Sequence, residues 1–349
     1  MALNPSSVAR LLVRAPNWLG DGVMSLPAVR AIRQIFLHAH VTVVARPSVA
    51  ELYSRESAVD EVIPYSAKGL RGKRAFAVGL RPHRFDCAIL LQNAFDAAWM
   101  AWMAGIPERI GYNRDARGLL LTRAIAVPDP GEIPRHERFY YLELLRRAGL
   151  MEHFPDTAAT RLDDIPGARQ AGLRRLAELG ITGSPVGVSP GAAYGNAKRW
   201  LPERFAETAR KLGGPVLVFG SGAERDLCAR VAAETNGCNL AGATSLREFL
   251  ELASVCRLFL TNDSGAMHVA SALGVPTVAV FGATDDTTTG PTGLSARVVR
   301  AHAECSPCLL RECPIDHRCM TRVTSEQVAA AALQLWEECV PAWIHEAKS

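Results

Sequence analysis

The sequence predicts an α/β protein of two doubly wound, Rossmann-like domains, and three observations carry that reading. Short apolar runs alternate with segments of helical spacing along the chain, the pattern of strands buried in a parallel sheet with helices between them. A length of 349 residues exceeds one typical domain. Residues 151–165 are polar, contain Pro155 and show no period, as expected of a linker. The expected division is therefore an N-terminal domain over 1–165 and a C-terminal domain over 166–322. A final helix in 323–349 follows, expected to pack back on the first domain through Val328, Ala331, Leu335 and Trp336.

The first domain opens on a strand at Val8–Arg14. Next comes P-N-W-L-G-D-G, where Gly20 and Gly22 suit a tight turn around Asp21, and then a helix from Met24 to Phe36. Strands follow at Val41–Ala45 and Glu61–Pro64, with a short helix from Val49 between them. This opening lacks the G-x-G-x-x-G dinucleotide fingerprint. From Val62 to Phe85 there are six basic residues and no acid: Lys68, Arg71, Lys73, Arg74, Arg81 and Arg84. Such a run is either a solvated helix face or a binding segment for phosphate or carboxylate groups near a membrane surface. Cys87–Leu91 is a further strand and Ala97–Ala104 a helix. Gly111–Arg123 reads as a basic loop, and the helix Arg135–Gly149 closes the domain.

The second domain begins with the helix Pro166–Leu179 and the strand Val186–Ser189. A Gly-containing loop, S-P-G-A-A-Y-G-N-A-K-R-W, leads to a helix start at Pro202, and Lys198 can offer phosphate a fixed positive charge. After the strand Pro215–Phe219, Glu224 enters the first turn of a helix, suited to the dipole or to a ribose hydroxyl. Thr244 precedes the helix Ser245–Ala253. Leu258–Leu260 and Thr277–Phe281 read as strands flanking a helix that starts near Asp263 or Ser264 and stops at Gly274, a right-handed β-α-β unit. A helix N-terminus presents unpaired N–H groups, here at Ser264, Gly265 and Ala266, and so favours phosphate. Asp263 repels phosphate, so it either caps the helix or accepts from sugar hydroxyls. His268 is either a packed helix histidine or a ligand contact.

A hydrophobic content of 48% and a charged content of 21% describe an ordinary globular protein. There is no basic-then-apolar leader pattern and no apolar run near ~18 residues, so a cytoplasmic protein is expected. The net charge of +4 is uneven: residues 1–180 hold 24 Lys and Arg against 18 Asp and Glu, the remainder 15 against 17. The N-terminal half therefore suits an anionic partner. No nucleic-acid partner is expected.

P-N-W-L-G-D at 16–21, A-K-R-W at 197–200 and T-N-D-S-G-A-M-H-V-A at 261–270, taken together and in order, resemble glycosyltransferase family 9 and its lipopolysaccharide heptosyltransferases. The resemblance implies a GT-B architecture, two doubly wound domains facing a cleft, with acceptor on the N-terminal side and ADP-heptose on the C-terminal side. It further implies inverting, metal-independent transfer of heptose from ADP-heptose to the inner-core heptose of a lipid A-linked saccharide at the inner-membrane surface. Asp21 then matches the base that takes the acceptor hydroxyl proton. Lys198, Ser264 and Gly265 match diphosphate positions, Glu224 the ribose carboxylate, and Asp263 and His268 further donor contacts. Thr244 falls near the adenine. Asn17 lines the Asp21 loop, and Lys68, Arg71, Lys73 and Arg74 would hold the acceptor. Transfer to another core position, a GT-B sugar-nucleotide epimerase and a non-catalytic nucleotide-sugar-binding protein stay open beside this reading.

One segment departs from the pattern: C-S-P-C-L-L-R-E-C-P-I-D-H-R-C at 305–319. Cys305, Cys308, Cys313 and Cys319 can hold a structural zinc ion, with His317 a spare candidate ligand, remain free thiols or form disulfides. Their place after the donor motifs sets them outside catalysis.

Overall fold

The structure, a computed structural model, describes residues 3–156, 158, 160–293 and 295–346, with side chains through Cys339. It divides into two compact units, Met1–Asp163 and Asp164–Ser349, two residues ahead of the expected boundary.

The first unit runs β1 (Arg10–Arg14), α1 (Leu19–Met24), α2 (Leu26–Ile35), β2 (His40–Ala45), α3 (Pro47–Tyr53) and β3 (Glu61–Pro64). It continues through α4 (Gly69–Gly79), β4 (Cys87–Leu90), α5 (Phe95–Met103), β5 (Glu108–Tyr112), β6 (Arg123–Ile125) and α6 (Glu137–Arg147). The six strands form one sheet in the order β3-β2-β1-β4-β5-β6, every pairing parallel. The central strands β1 and β4 are apolar without alternation because helices cover both faces. Leu12, Val44, Ala88 and Leu90 pack there with Ala98, Met100 and Ala101 of α5.

The second unit runs α7 (Ile165–Glu178), β7 (Val186–Ser189), α8 (Pro202–Leu212), β8 (Val216–Val218), α9 (Arg225–Thr235), β9 (Cys238–Asn239) and α10 (Leu246–Ser254). Then come β10 (Leu258–Asn262), α11 (Gly265–Ala272), β11 (Thr277–Phe281), α12 (Asp286–Thr289), β12 (Ala296–Arg300), α13 (Arg318–Thr321) and α14 (Ser325–Glu346). Its sheet has the order β12-β11-β10-β7-β8-β9, again all parallel. Each sheet thus reverses its strand order once, between β1 and β4 in the first and between β7 and β10 in the second. That crevice outside the carboxyl ends of the strands is where doubly wound folds bind ligands.

Three expectations are corrected. The helix expected at Met24–Phe36 is α2, beginning at Leu26 with Pro27 in its first turn, but the tight turn expected before it is a helix of its own, α1, which Ser25 ends with its hydroxyl donating to the Gly22 carbonyl at 2.8 Å. Asp21 therefore lies in the first turn of α1 rather than in a tight turn. Gly22 is there for close approach, since a Cβ on it would stand 2.8 Å from Val49 Cγ1 of α3. The loop read at Gly111–Arg123 is there over 113–122, but the strands on either side of it, β5 and β6, were not expected, because their charged residues and partial burial mask the strand signal. The C-terminal helix α14, expected on the first domain, belongs to the second unit and packs on α8, β11 and β12. Val328, Ala332 and Leu335 enter that unit's core beside Trp200 and Phe205. Pro341 and Trp343 fall where the backbone alone is described.

Candidate active site

In the first unit, the residues that follow β1 and β4 meet at the reversal point. The Asn17 amide Oδ1 accepts from Arg14 Nη2 at 2.8 Å, and its backbone N–H donates to Gln92 Oε1 at 3.0 Å, which ties the two loops together. Arg14 is 1% exposed, its guanidinium lies 5.0 Å over the Tyr65 ring, and its Nε is buried without a partner. Burial lowers its pKa to about 10. Arg117 is likewise fully buried and lowered to about 10 by burial, donating to the Tyr112 and Gln92 carbonyls and to Asn93 Oδ1. A sequence gives no sign that these two arginines are buried. Both donate to neutral oxygens only, so neither guanidinium is neutralised by a hydrogen-bonded carboxylate.

Asp21 has company that the spacing did not reveal. Glu137 stands in the first turn of α6, which touches α1. Burial first, then the charge of Asp21, raises its carboxyl pKa, while Arg114 opposes them. Tyr141 on the same helix and Tyr53 on α3 are fully buried and have their phenols pushed up, by burial first and partly by Asp21. Asp21 is thus a carboxylate in the first turn of a helix whose charge is felt by a second carboxyl and two phenols.

The predicted acceptor residues lie on and just before α4. Lys68 precedes the helix and is exposed, as are Arg71 and Arg74. Lys73 is engaged: its Nζ meets Asp96 Oδ2 of α5 at 3.0 Å, and that hydrogen bond raises its pKa.

In the second unit the predicted donor residues converge. Lys198 Nζ lies 2.6 Å from Asp263 Oδ2, and the Thr284 hydroxyl donates to the same oxygen at 2.6 Å. Asp263, 5% exposed, is thus no helix cap. Ser264 holds that position, its hydroxyl paired with Thr261 Oγ1 at 3.1 Å. Asn262, which spacing read only as part of a polar break, joins the two loops of the crevice. Its Oδ1 accepts the Trp200 N–H at 2.9 Å and its Nδ2 donates to the Pro190 carbonyl at 2.8 Å. Trp200 is 1% exposed, stacks edge-on against Phe205 and donates through Nε1 to the Val323 carbonyl. Lys198 is therefore two residues from a buried anchor.

Glu224 closes the other side. One oxygen caps the turn at Ser221, accepting the backbone N–H at 2.9 Å and the hydroxyl at 2.8 Å; the other is 3.8 Å from Arg199. A Cβ on Gly191 would stand 2.0 Å from Glu224 Oε1, so the loop after β7 passes close against the carboxylate and a larger residue there would displace it. Gly242, at φ +68°, approaches Gly222 closely and brings the half-buried Thr244 turn beside it. His268 is buried within α11. The result is an ammonium, a helix N-terminus and a carboxylate-lined turn at the carboxyl ends of the strands, chemistry that suits a phosphate and a hydroxyl-bearing group.

The four cysteines of 305–319 are free, and the Cys319 thiol is pushed up by burial and then by its neighbours Cys305, Cys308 and Cys313. Among the described residues, no group of three or more His, Cys, Asp or Glu is arranged to hold a metal ion. Among the same residues no helix is long and apolar enough to cross a membrane.

Residues 73–318 match the family described as glycosyltransferase family 9 (heptosyltransferase). The chain belongs to glycosyltransferase family 9. This family 9 chain is 32% identical over 308 residues to lipopolysaccharide heptosyltransferase 2 of Escherichia coli K12, covering 83% of itself and 88% of that protein. It is 27% identical over 330 residues to lipooligosaccharide heptosyltransferase 2 of Campylobacter jejuni, covering 91% and 96%. Among solved structures, the E. coli ADP-heptose LPS heptosyltransferase II superposes with a TM-score of 0.81 at 28% identity, over 94% of this chain and 99% of that one. The transferase therefore has the two-sheet GT-B fold expected of it and is a heptosyltransferase. The matched span contains Lys198, Glu224, Asp263 and His268; Asn17 and Asp21 lie before it.

Proposed function

We propose that this transferase moves heptose from ADP-L-glycero-D-manno-heptose to the first heptose of the lipopolysaccharide inner core, the reaction of a type II heptosyltransferase, with inversion and without a catalytic metal. The observation that carries the reading is the Lys198–Asp263–Thr284 cluster at the end of β10, beside the N-terminus of α11. An inverting displacement needs a base for the acceptor hydroxyl and positive charge for the departing diphosphate. Asp21 is the base. Lys198, held in aim by Asp263, and the N–H groups at Ser264 and Gly265 receive the diphosphate and perform the neutralisation a divalent ion performs elsewhere. Glu224 takes a ribose hydroxyl, Thr244 borders the adenine, and Asp263 and His268 line the donor pocket.

On the acceptor side, buried Arg14 and Arg117 orient Asn17, Gln92 and Asn93 toward the saccharide. Lys68, Arg71 and Arg74, with Lys73 when Asp96 releases it, meet acidic groups of the lipid A-linked core at the inner-membrane surface. The work place is the cytoplasmic face of that membrane. The decisive test is incubation with ADP-heptose and heptosyl-Kdo2-lipid A. Product heavier by one heptose, lost in Asp21→Ala while ADP-heptose still binds, is the expected result. Donor binding without turnover on any heptose-terminated acceptor would overturn the assignment.

A structural zinc ion on Cys305, Cys308, Cys313 and Cys319 is a separate matter, since the thiols are neighbours but not set as a coordination shell. Metal analysis of protein purified without oxygen settles it: one zinc or iron per chain supports the ion, and none removes it. No step of transfer depends on the outcome.

A further inference from the structure

The segment 305–319 is not used by the chemistry above, yet it is bonded on two sides to the residues that carry that chemistry. On one side it grips the loop leading to Lys198. The Ala197 N–H donates to the Arg311 carbonyl at 3.0 Å, the Cys313 N–H to Asn196 Oδ1 at 3.4 Å, and the Tyr194 hydroxyl to the Leu309 carbonyl at 2.9 Å. Gly195 lets the two backbones touch: a Cβ there would stand 2.1 Å from the Arg311 carbonyl oxygen. The Tyr194 ring lies between two cations, with Lys198 Nζ at 4.9 Å and the Arg311 guanidinium at 5.2 Å from its centroid. On the other side the segment holds the turn after β11. The Leu309 N–H donates to the Ala283 carbonyl at 2.8 Å and the Ser306 hydroxyl to the Gly282 carbonyl at 2.6 Å. Thr284, next in the chain, bonds Asp263.

The His317 side chain reaches the Lys198 turn directly. Its Nε2 lies 3.0 Å from the Ala197 carbonyl, and a carbonyl only accepts, so the proton resides on Nε2. Its backbone is left-handed, φ 57° and ψ 30°, at the start of α13. Glycine adopts that conformation at no steric cost, whereas an imidazole there pays one, which a bond to the neighbouring turn offsets.

We propose that residues 305–317 are a brace for the donor site and that His317 is a positioning residue, fixing the 196–198 turn so that Lys198 points at Asp263 and at the diphosphate. The brace acts through Lys198 and touches no substrate. It rests on the assignment of Lys198 to the donor diphosphate. It also gives the four-cysteine segment a task that requires no metal.

The test is ADP binding by calorimetry on the full chain, in a double-mutant cycle of His317→Ala and Lys198→Ala, with melting temperatures measured alongside. His317→Ala alone is expected to weaken ADP about fivefold, the effect of one neutral hydrogen bond. In the Lys198→Ala background the same change should do nothing, because the group it positions is gone. His317→Gln, which restores an N–H donor, should recover affinity, and Asn196→Ala should reproduce the loss. An equal effect of His317→Ala in both backgrounds, or a fall in melting temperature with ADP affinity intact, overturns the brace and leaves the donor site standing. If Lys198→Ala itself leaves ADP affinity unchanged, the donor assignment fails and the brace fails with it.

Discussion

At the scale of single residues, the site depends on charges whose neighbours decide what they can do. Asp263 shows this best. By spacing it was a helix cap or a sugar contact, and a carboxylate beside a phosphate site is otherwise a liability. Buried and shared between Lys198 and Thr284, it becomes the group that holds a cation in place. Charge pairing of that kind is worth most where water is excluded. Glu137 is the opposite case, a carboxyl raised above its usual value near 4.5 by burial and by Asp21. A raised folded-state pKa means its contribution to stability is present below the unfolded value and is lost as pH rises through the folded one. Glu137→Gln should therefore be more stable than the parent at neutral pH. The gap in melting temperature should narrow as pH is lowered toward 4.5, as thermal unfolding between those limits will show. A gap that is flat with pH would show that the Glu137 carboxyl is not raised by burial and the Asp21 charge.

At the scale of elements, the most legible part of the sequence was β10, α11 and β11. The strand start at Leu258, the helix start at Ser264, the stop at Gly274 and the strand Thr277–Phe281 match the observed elements, although β10 runs two residues beyond Leu260, to Asn262. The split of α1 from α2 was not legible. Gly20 and Gly22 read as turn residues, but Gly22 is demanded by contact with α3, which lies far along the chain. Glu224 stands at the start of α9, and its capping bond to Ser221 is one that the dipole argument allows but does not require. Arg14, Arg117 and Glu137 escaped notice because burial, which makes them unusual, is a property of the folded sheet. Close helix packing brings its own prediction. A Cβ on Gly172 of α7 would stand 2.1 Å from the Glu251 carbonyl oxygen of α10. Arg175 meets the nearly buried Glu251 at 2.6 Å and Glu248 at 2.9 Å, which pins the two helices together. Backbone cannot yield as a side chain would, so Gly172→Ala should cost about 1–3 kcal/mol. Urea unfolding will measure it. A neutral result would mean that α7 can slide on α10.

At the scale of the molecule, two sheets of the same order, each reversed once, put one crevice in each unit. The first crevice holds a carboxylate beside buried cations and the second an ammonium beside a helix N-terminus. Two half-sites of unlike chemistry suit a reaction with two unlike substrates, one giving up a proton and the other a diphosphate. The division makes a claim about where a nucleotide is felt. ADP carries the ribose and the diphosphate but no heptose, so it should engage the second unit alone. At 100 times its dissociation constant, it should stabilise the state it binds by ~2.7 kcal/mol. Hydrogen exchange should slow at 189–200, 220–224 and 261–268, the loops after β7, β8 and β10. The segments following β1 and β4 should exchange as before. Protection confined to those first-unit segments would invert the assignment of donor and acceptor. Protection of the second unit that persists undiminished in Lys198→Ala would place the diphosphate elsewhere in the same crevice.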